Sequence, residues 1–235
     1  MRLLLVRHGQ TSSNVGHHLD TAFPGADLAE LGRAQAAAIP AALEGEDIAA
    51  LYVSNLVRTQ QTAAPLAAAL GIEPQIRPGV REIEAGDYEM RNDEESIRAY
   101  IGQVFGWESD LDARMPGGET GAEVLGRFDA VVEEARAAVG DGTALIVAHG
   151  AVIRMWAASR AANIDLAYAS DRALENTAMV TMESQPDGGW LVADWTPTAL
   201  GGAGLTDRGH TGPAGEPDDD PLHPAPRTGP PVTQP

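Results

Sequence analysis

The chain has 235 residues, 43% of them hydrophobic, enough for one sizeable core, so a single α/β domain is expected rather than two small ones. Its 16 basic residues are all arginine and face 34 acidic ones, a net charge of −18. The lack of lysine excludes P-loop, Schiff-base and kinase-type lysine chemistry, and the lack of cysteine excludes disulfides, thiolate nucleophiles, zinc fingers and iron–sulfur clusters.

The acidic balance also opposes nonspecific binding to nucleic acid or to an anionic membrane, since both draw on clustered positive charge. No nucleic-acid or membrane partner is expected, and an anionic substrate needs a local exception.

Leu3-Leu4-Leu5-Val6 is a short continuous apolar run, as expected of a strand buried on both faces. It is too short for a signal peptide, whose core takes roughly 7–15 apolar residues. No later stretch approaches the roughly 20 residues of a membrane span, so a cytoplasmic location is expected. Leu28, Leu31, Ala34, Ala38 and Ile39 follow a helical period, and Ala49 to Val53 reads as a second strand. Thr62, Ala63, Leu66, Ala67 and Leu70 share one face of a helix stopped by Gly71, although Pro40 and Pro65 interrupt the two helical patterns. The region from about 90 to 115 is an insertion in which Ile97, Tyr100, Ile101, Val104, Phe105 and Trp107 suit a helix, either a lid over a pocket mouth or a part of the core. Thr120 and Glu123 fit a capping box opening a helix over 120–139, with Val124, Phe128, Val131, Ala135 and Val139 as its apolar stripe. Ala144 to Ala148 is a third buried strand, and Val152, Ile153 and Trp156 begin another helix. Two more strands, Ala178 to Glu183 and Trp190 to Trp195, are joined by the turn Pro186-Asp187-Gly188-Gly189. Residues 197–235 carry nine prolines and seven glycines but few aliphatics, so they read as a disordered tail whose removal leaves activity and melting temperature nearly unchanged. Residues 1–196 then form an α/β domain with helices covering both faces of a sheet.

Two strands end alike: the first runs into Arg7-His8-Gly9 and the third into His149-Gly150. In an open α/β sheet, ligands bind at the carboxyl ends of the strands, so parallel neighbours would bring His8 and His149 together. The series continues through Leu31-Gly32-Arg33-Ala34-Gln35-Ala36, Val53-Ser54-Asn55-Leu56-Val57-Arg58-Thr59-Gln60-Gln61-Thr62-Ala63, Arg81-Glu82-Ile83, Gly86-Asp87-Tyr88-Glu89, Pro116-Gly117-Gly118-Glu119-Thr120 and Val147-Ala148-His149-Gly150.

In that order and spacing, over about residues 1–184, the chain resembles the histidine phosphatases, the phosphoglycerate-mutase-like superfamily. The resemblance implies a three-layer α/β/α sandwich with a mostly parallel central sheet. It implies a phosphoric monoester hydrolase of histidine acid phosphatase type that works on a small phosphorylated metabolite without cofactor or metal. His8 matches the nucleophile that becomes phosphohistidine, Arg7 and Arg58 the phosphate-binding arginines, His149 the second histidine, and Glu82, with Glu84 as its rival, the acid. Asn14 matches a phosphate-pocket residue, and Thr11 lends its hydroxyl or amide there. A homodimer is an open option for assembly.

The side chains suit these roles. Two guanidiniums can hold the phosphoryl oxygens for in-line attack, and their charge keeps His8 neutral and nucleophilic. A backbone carbonyl would set its tautomer. His149 would complete the clamp by donating from a ring nitrogen, and a partly desolvated Glu82 could stay protonated to serve the leaving alkoxide. Members of the superfamily that act as mutases look rich in basic residues around the substrate carboxylate, including a lysine, and this chain has none, which counts against the mutase; that reading and a noncatalytic phospholigand-binding protein are the alternatives to the hydrolase. Thr120 reads as a helix cap rather than a ligand contact. His17 and His18 with Asp20 and Asp27 could form a metal site, but a place at the pocket mouth or in a solvated loop suits them better.

Overall fold

A computed structural model describes residues 1–210 and 212–214. Six strands, β1 (Arg2–Arg7), β2 (Ile48–Val53), β3 (Gln75–Ile76), β4 (Thr143–Ala148), β5 (Met179–Ser184) and β6 (Trp190–Thr196), form one sheet in the order β3-β2-β4-β1-β5-β6. The first four are parallel, and β5 and β6 add an antiparallel edge. The helices are α1 (Ser12–Val15), α2 (Glu30–Ala42), α3 (Val57–Leu70), α4 (Glu94–Gly106), α5 (Gly121–Val139), α6 (Gly150–Arg160) and α7 (Leu166–Ser170).

Strand side chains alternate between two cores because successive residues of a strand point to opposite faces. Leu3, Leu5, Ala144 and Ile146 join the core with α4, α5 and α6; Leu4, Val6, Leu145 and Val147 join the one with α2 and α3. Both faces are therefore covered, which is the three-layer sandwich. The capping box of α5 forms as the sequence predicts, with Thr120 and Glu123 each satisfying the other's backbone amide.

Two local readings are corrected, the inward face of α2 and the end of the folded domain. The buried face of α2 is Gly32, Gln35, Ala36 and Ile39, whereas Ala34 is exposed. Gln35 turns inward because its carbonyl accepts the Gln10 amide and its amide donates to the Leu205 carbonyl, so a polar residue holds a core position. Pro40 and Pro65 both lie inside continuous helices. In α4, Tyr100 and Val104 are fully packed in the core, followed by Trp107 beyond the helix.

The second correction concerns the boundary at Thr196. Residues 197–210 fold back onto the domain: Ala199 and Leu200 are buried, the Leu200 amide donates to the Thr177 carbonyl, and the Pro197 carbonyl accepts from the Glu175 amide. Composition averaged over the whole Pro/Gly-rich stretch conceals that its first part carries the aliphatic pair and the backbone groups that satisfy buried partners. The rest of that stretch, Thr211 and residues 215–235, lies outside the described residues.

Truncation after Thr196 is accordingly expected to destabilise the domain by about 2–3 kcal/mol, the scale of one fully buried leucine, and to lower the melting temperature by about 5–10 °C. A thermal melt of the shortened chain within 1 °C or so of the full chain would contradict this packing.

Candidate active site

The parallel register pairs Arg7 with Ala148, so the residues that follow, His8 and His149, leave the same edge of adjacent strands. The His8 amide donates to the Ala148 carbonyl at 3.0 Å, and the two imidazole centroids stand 5.2 Å apart. Gly9 allows the chain to turn beside His8 because a Cβ there would meet the Gly32 carbonyl oxygen at 2.7 Å.

Arg58 comes from the first turn of α3 and is buried. Its Nη2 donates to the Asp20 carbonyl at 2.9 Å, its Nε donates to His149 Nδ1 at 3.3 Å, and the Asp20 carboxylate lies 3.8 Å from Nη1. Nη1 has no hydrogen-bond partner among the described residues. Arg7, also buried, donates through Nη1 to the Leu174 carbonyl at 2.7 Å. Arg7, His8, Thr11, Asn14, Arg58 and Glu82 line one cavity, with Asp20, Thr21, Tyr100 and the returning Pro213 and Ala214 among its other walls. In a chain this acidic, two buried guanidiniums on one cavity are the local exception an anion needs.

His8 Nδ1 lies 2.8 Å from the Gly9 carbonyl. A carbonyl only accepts, so Nδ1 carries the ring proton and Nε2 keeps its lone pair. Burial holds the His8 pKa well below its usual 6.5; the Arg58 and Arg7 charges add to this, and the Gly9 bond opposes it. His149 is lowered in the same way, by burial first and then by Arg58. Burial also draws Arg58 below the usual guanidinium range, against the pull of Asp20 and Glu82.

The ring proton of His149 has a different partner from the one predicted. A guanidinium can only donate, so His149 Nδ1 accepts from Arg58 Nε, the proton sits on Nε2, and it donates to Ser54 Oγ at 2.8 Å. His149 therefore orients Arg58 in this arrangement and does not present a donor to the cavity. The side-chain carbonyl of Asn14 is committed as well: it accepts from the Thr11 amide at 2.9 Å, the Thr11 hydroxyl at 3.1 Å and Asn176 Nδ2 at 3.3 Å. Thr11 is the N-cap of α1 and accepts the Asn14 amide in return, so the pair shapes the loop behind His8.

Glu82 is buried at the N-terminus of α6, where its carboxylate accepts the amides of Ile83 at 2.9 Å, Ala151 at 3.2 Å and Val152 at 2.9 Å. Both carboxylate oxygens are thus held by backbone amides, two of them in the first turn of α6. Its rival Glu84 is a half-buried partner of Arg81 and does not line the cavity. Of the four residues considered for a metal, His18 and Asp20 line the cavity, His17 faces His210 with centroids 6.2 Å apart, and Asp27 accepts from Gln61.

Several site residues escape the sequence reading. Ser54 follows the end of β2, so the rule that singled out His8 and His149 could have found it. Asn176 had no such signal, since it precedes an antiparallel strand; its amide donates to the His8 carbonyl at 3.2 Å. The next residue, Thr177, takes φ of 60°, a rare conformation for a β-branched side chain, and its amide points at the Arg7 and His8 carbonyls.

The sequence profile of the histidine phosphatase superfamily (branch 1) matches residues 3–196. Among curated proteins, the chain is 33% identical over 219 residues to the PE-PGRS family protein PE_PGRS11 of Mycobacterium tuberculosis (strain H37Rv), covering 85% of this chain but only 37% of that longer protein. It is 30% identical over 170 residues to a glucosyl-3-phosphoglycerate phosphatase of the same species, covering 67% of this chain and 74% of the relative. Among solved structures, a mycobacterial glucosyl-3-phosphoglycerate phosphatase in complex with VO3 superposes with a TM-score of 0.71 at 26% identity, covering 84% of this chain and 99% of the other.

The chain thus belongs to the histidine phosphatase superfamily. Phosphoryl transfer through a phosphohistidine is the mechanism typical of that superfamily, and the curated and structural relatives of this chain include phosphatases.

Proposed function

We propose that this protein is a phosphatase of histidine acid phosphatase type that hydrolyses a small organic phosphate monoester without a metal, through a phosphohistidine on His8. The observation that carries the reading is the convergence of a neutral imidazole, bare at Nε2, with two buried guanidiniums on one cavity. Arg7 and Arg58 supply the charge that a metal supplies elsewhere, by neutralising the phosphoryl oxygens and aligning the phosphorus with His8 Nε2. His149 steadies the Arg58 guanidinium through Nδ1. Glu82 serves the leaving oxygen with a proton and, as a carboxylate, takes one from the water that then attacks the phosphohistidine and restores His8.

Hydrolysis is favoured over mutase chemistry by the arginines around the cavity. Among the described residues, Arg7 and Arg58 are the two arginines that line it; Arg81 and Arg127 hold Glu119 and do not line it. Among the described residues no third arginine lines the cavity to hold a substrate carboxylate, as a phosphoglycerate mutase requires.

p-Nitrophenyl phosphate is expected to be turned over undiminished in EDTA. Incubation with 3-phosphoglycerate, followed by phosphorus NMR, is expected to give free phosphate at most. Appearance of 2-phosphoglycerate would favour the mutase, and inhibition by EDTA would overturn metal independence. Purification followed by a screen against phosphorylated metabolites then identifies the substrate, and sedimentation of the same sample tells monomer from homodimer.

A further inference from the structure

We infer that Arg127 is a positioning residue for the acid Glu82, acting through the backbone that carries it; this rests on the assignment of Glu82 proposed above. Arg127 lies on α5 and does not line the cavity. All five of its guanidinium N–H groups are used. Nη1 donates to the carbonyls of Gly79 at 2.7 Å and Arg81 at 2.8 Å, and Nη2 donates to the carbonyl of Glu82 itself at 3.2 Å. The remaining two hold Glu119, Nε at 2.8 Å and Nη2 at 3.0 Å.

Glu119 in turn accepts from Arg81 at 2.6 Å and from the Glu84 amide at 3.4 Å, so the pair reaches both sides of Glu82. The loop also lies tight against α5: a Cβ on Gly79 would stand 2.6 Å from the Arg127 carbonyl oxygen. The Glu82 carboxylate is fixed separately by the amides of α6. The acid is therefore held at its main chain by α5 and at its carboxylate by α6, and the distance between those two helices sets where its oxygens stand.

A planar guanidinium satisfies three carbonyls and one carboxylate at once in a fixed geometry, which an ammonium on a flexible stem cannot do. An unpaired carboxylate at Glu119 and three released carbonyls would let the loop relax, and a displacement of about 1 Å at a catalytic group can cost about 10²-fold.

The test separates positioning of the acid from a general loss of structure, using two esters that differ in their need for a proton. p-Nitrophenolate leaves readily unprotonated, whereas the alkoxide of glycerol 2-phosphate does not. Arg127→Lys is expected to lower kcat/KM, which reports the step in which the leaving group departs and not the later hydrolysis common to both esters, by about 30–100-fold on glycerol 2-phosphate but by less than about 5-fold on p-nitrophenyl phosphate, with inhibition by inorganic phosphate unchanged. Glu82→Gln is the reference and should show the same divergence between esters, more strongly. Glu119→Gln retains a side chain that can accept from Arg127 and provides a second, milder variant should the lysine variant fail to fold; it should diverge in the same direction.

Equal losses on both esters, or no loss on either, in folded Arg127 and Glu119 variants would overturn the positioning role while leaving Glu82 in place. Absence of divergence in Glu82→Gln would overturn both the acid assignment and the inference built on it.

Discussion

His8→Ala is expected to lower kcat on any phosphate monoester by about 10⁴-fold or more, the scale of loss when a nucleophile that acts with its partners as a unit is removed. No neighbouring group can replace it: His149 has Nδ1 engaged by Arg58 and Nε2 engaged by Ser54. Ground-state binding should survive far better, because Arg7 and Arg58 remain to hold the anion. The variant should therefore still bind inorganic phosphate within about an order of magnitude of the parent while failing to turn over. Rapid quenching with radiolabelled ester should mark the parent on His8 and leave the variant unlabelled. Turnover by His8→Ala close to that of the parent, or a label found on another residue, would remove His8 from the mechanism.

Arg58→Ala is expected to reduce kcat/KM by about 10²–10³-fold, the cost of removing one preorganised donor from a developing anion, and to change the shape of the pH profile as well. The sign follows from the protonation state needed. His8 attacks as the neutral ring, so activity is lost as pH falls through the His8 pKa of the free enzyme. Burial, Arg58 and Arg7 together hold that pKa well below 6.5, so the parent should keep its His8 neutral into mildly acidic solution. Removing Arg58 deletes the second of those causes and opens the site to water, which weakens the first, and the acid limb of kcat/KM should move upward towards 6.5. The second ionisation of the substrate phosphate, near pH 6, enters both profiles and cancels in the comparison. Profiles of kcat/KM on one ester would decide; an acid limb that stays in place or moves downward would show that Arg58 does not set the His8 charge state.

The legibility of the site follows from which contacts are local. Strands β1, β2 and β4 were readable because each is a continuous apolar run, and a strand buried on both faces needs no polar residue within it. Their parallel order, once assumed, put His8 and His149 at one edge, and the register realises this. The capping box at Thr120 and Glu123 was readable for a related reason, since both partners lie within one turn of helix.

Other features depended on partners remote in the chain. Gln35 reads as a surface residue until its bonds to Gln10 and to Leu205, 170 positions away, are seen. Asn176 and Thr177 brace His8 from a loop without a motif. The second imidazole was found in sequence, but its hydrogen bonding was not, because the direction of its proton is fixed by Arg58 on one side and Ser54 on the other.

The sequence by itself determined which residue types stand at the strand ends: a lysine-free acidic chain that nevertheless places arginine beside histidine at one strand end, and repeats histidine at another. It determined this because strand ends and helix caps are written in neighbouring residues. Only the tertiary structure decided which atom of each side chain meets which partner, that the chain beyond Thr196 folds back onto the domain, and that Arg127 and Glu119 hold the loop of Glu82. Those outcomes depend on the satisfaction of buried donors and acceptors by groups brought together from distant segments, a balance that no single stretch of sequence contains.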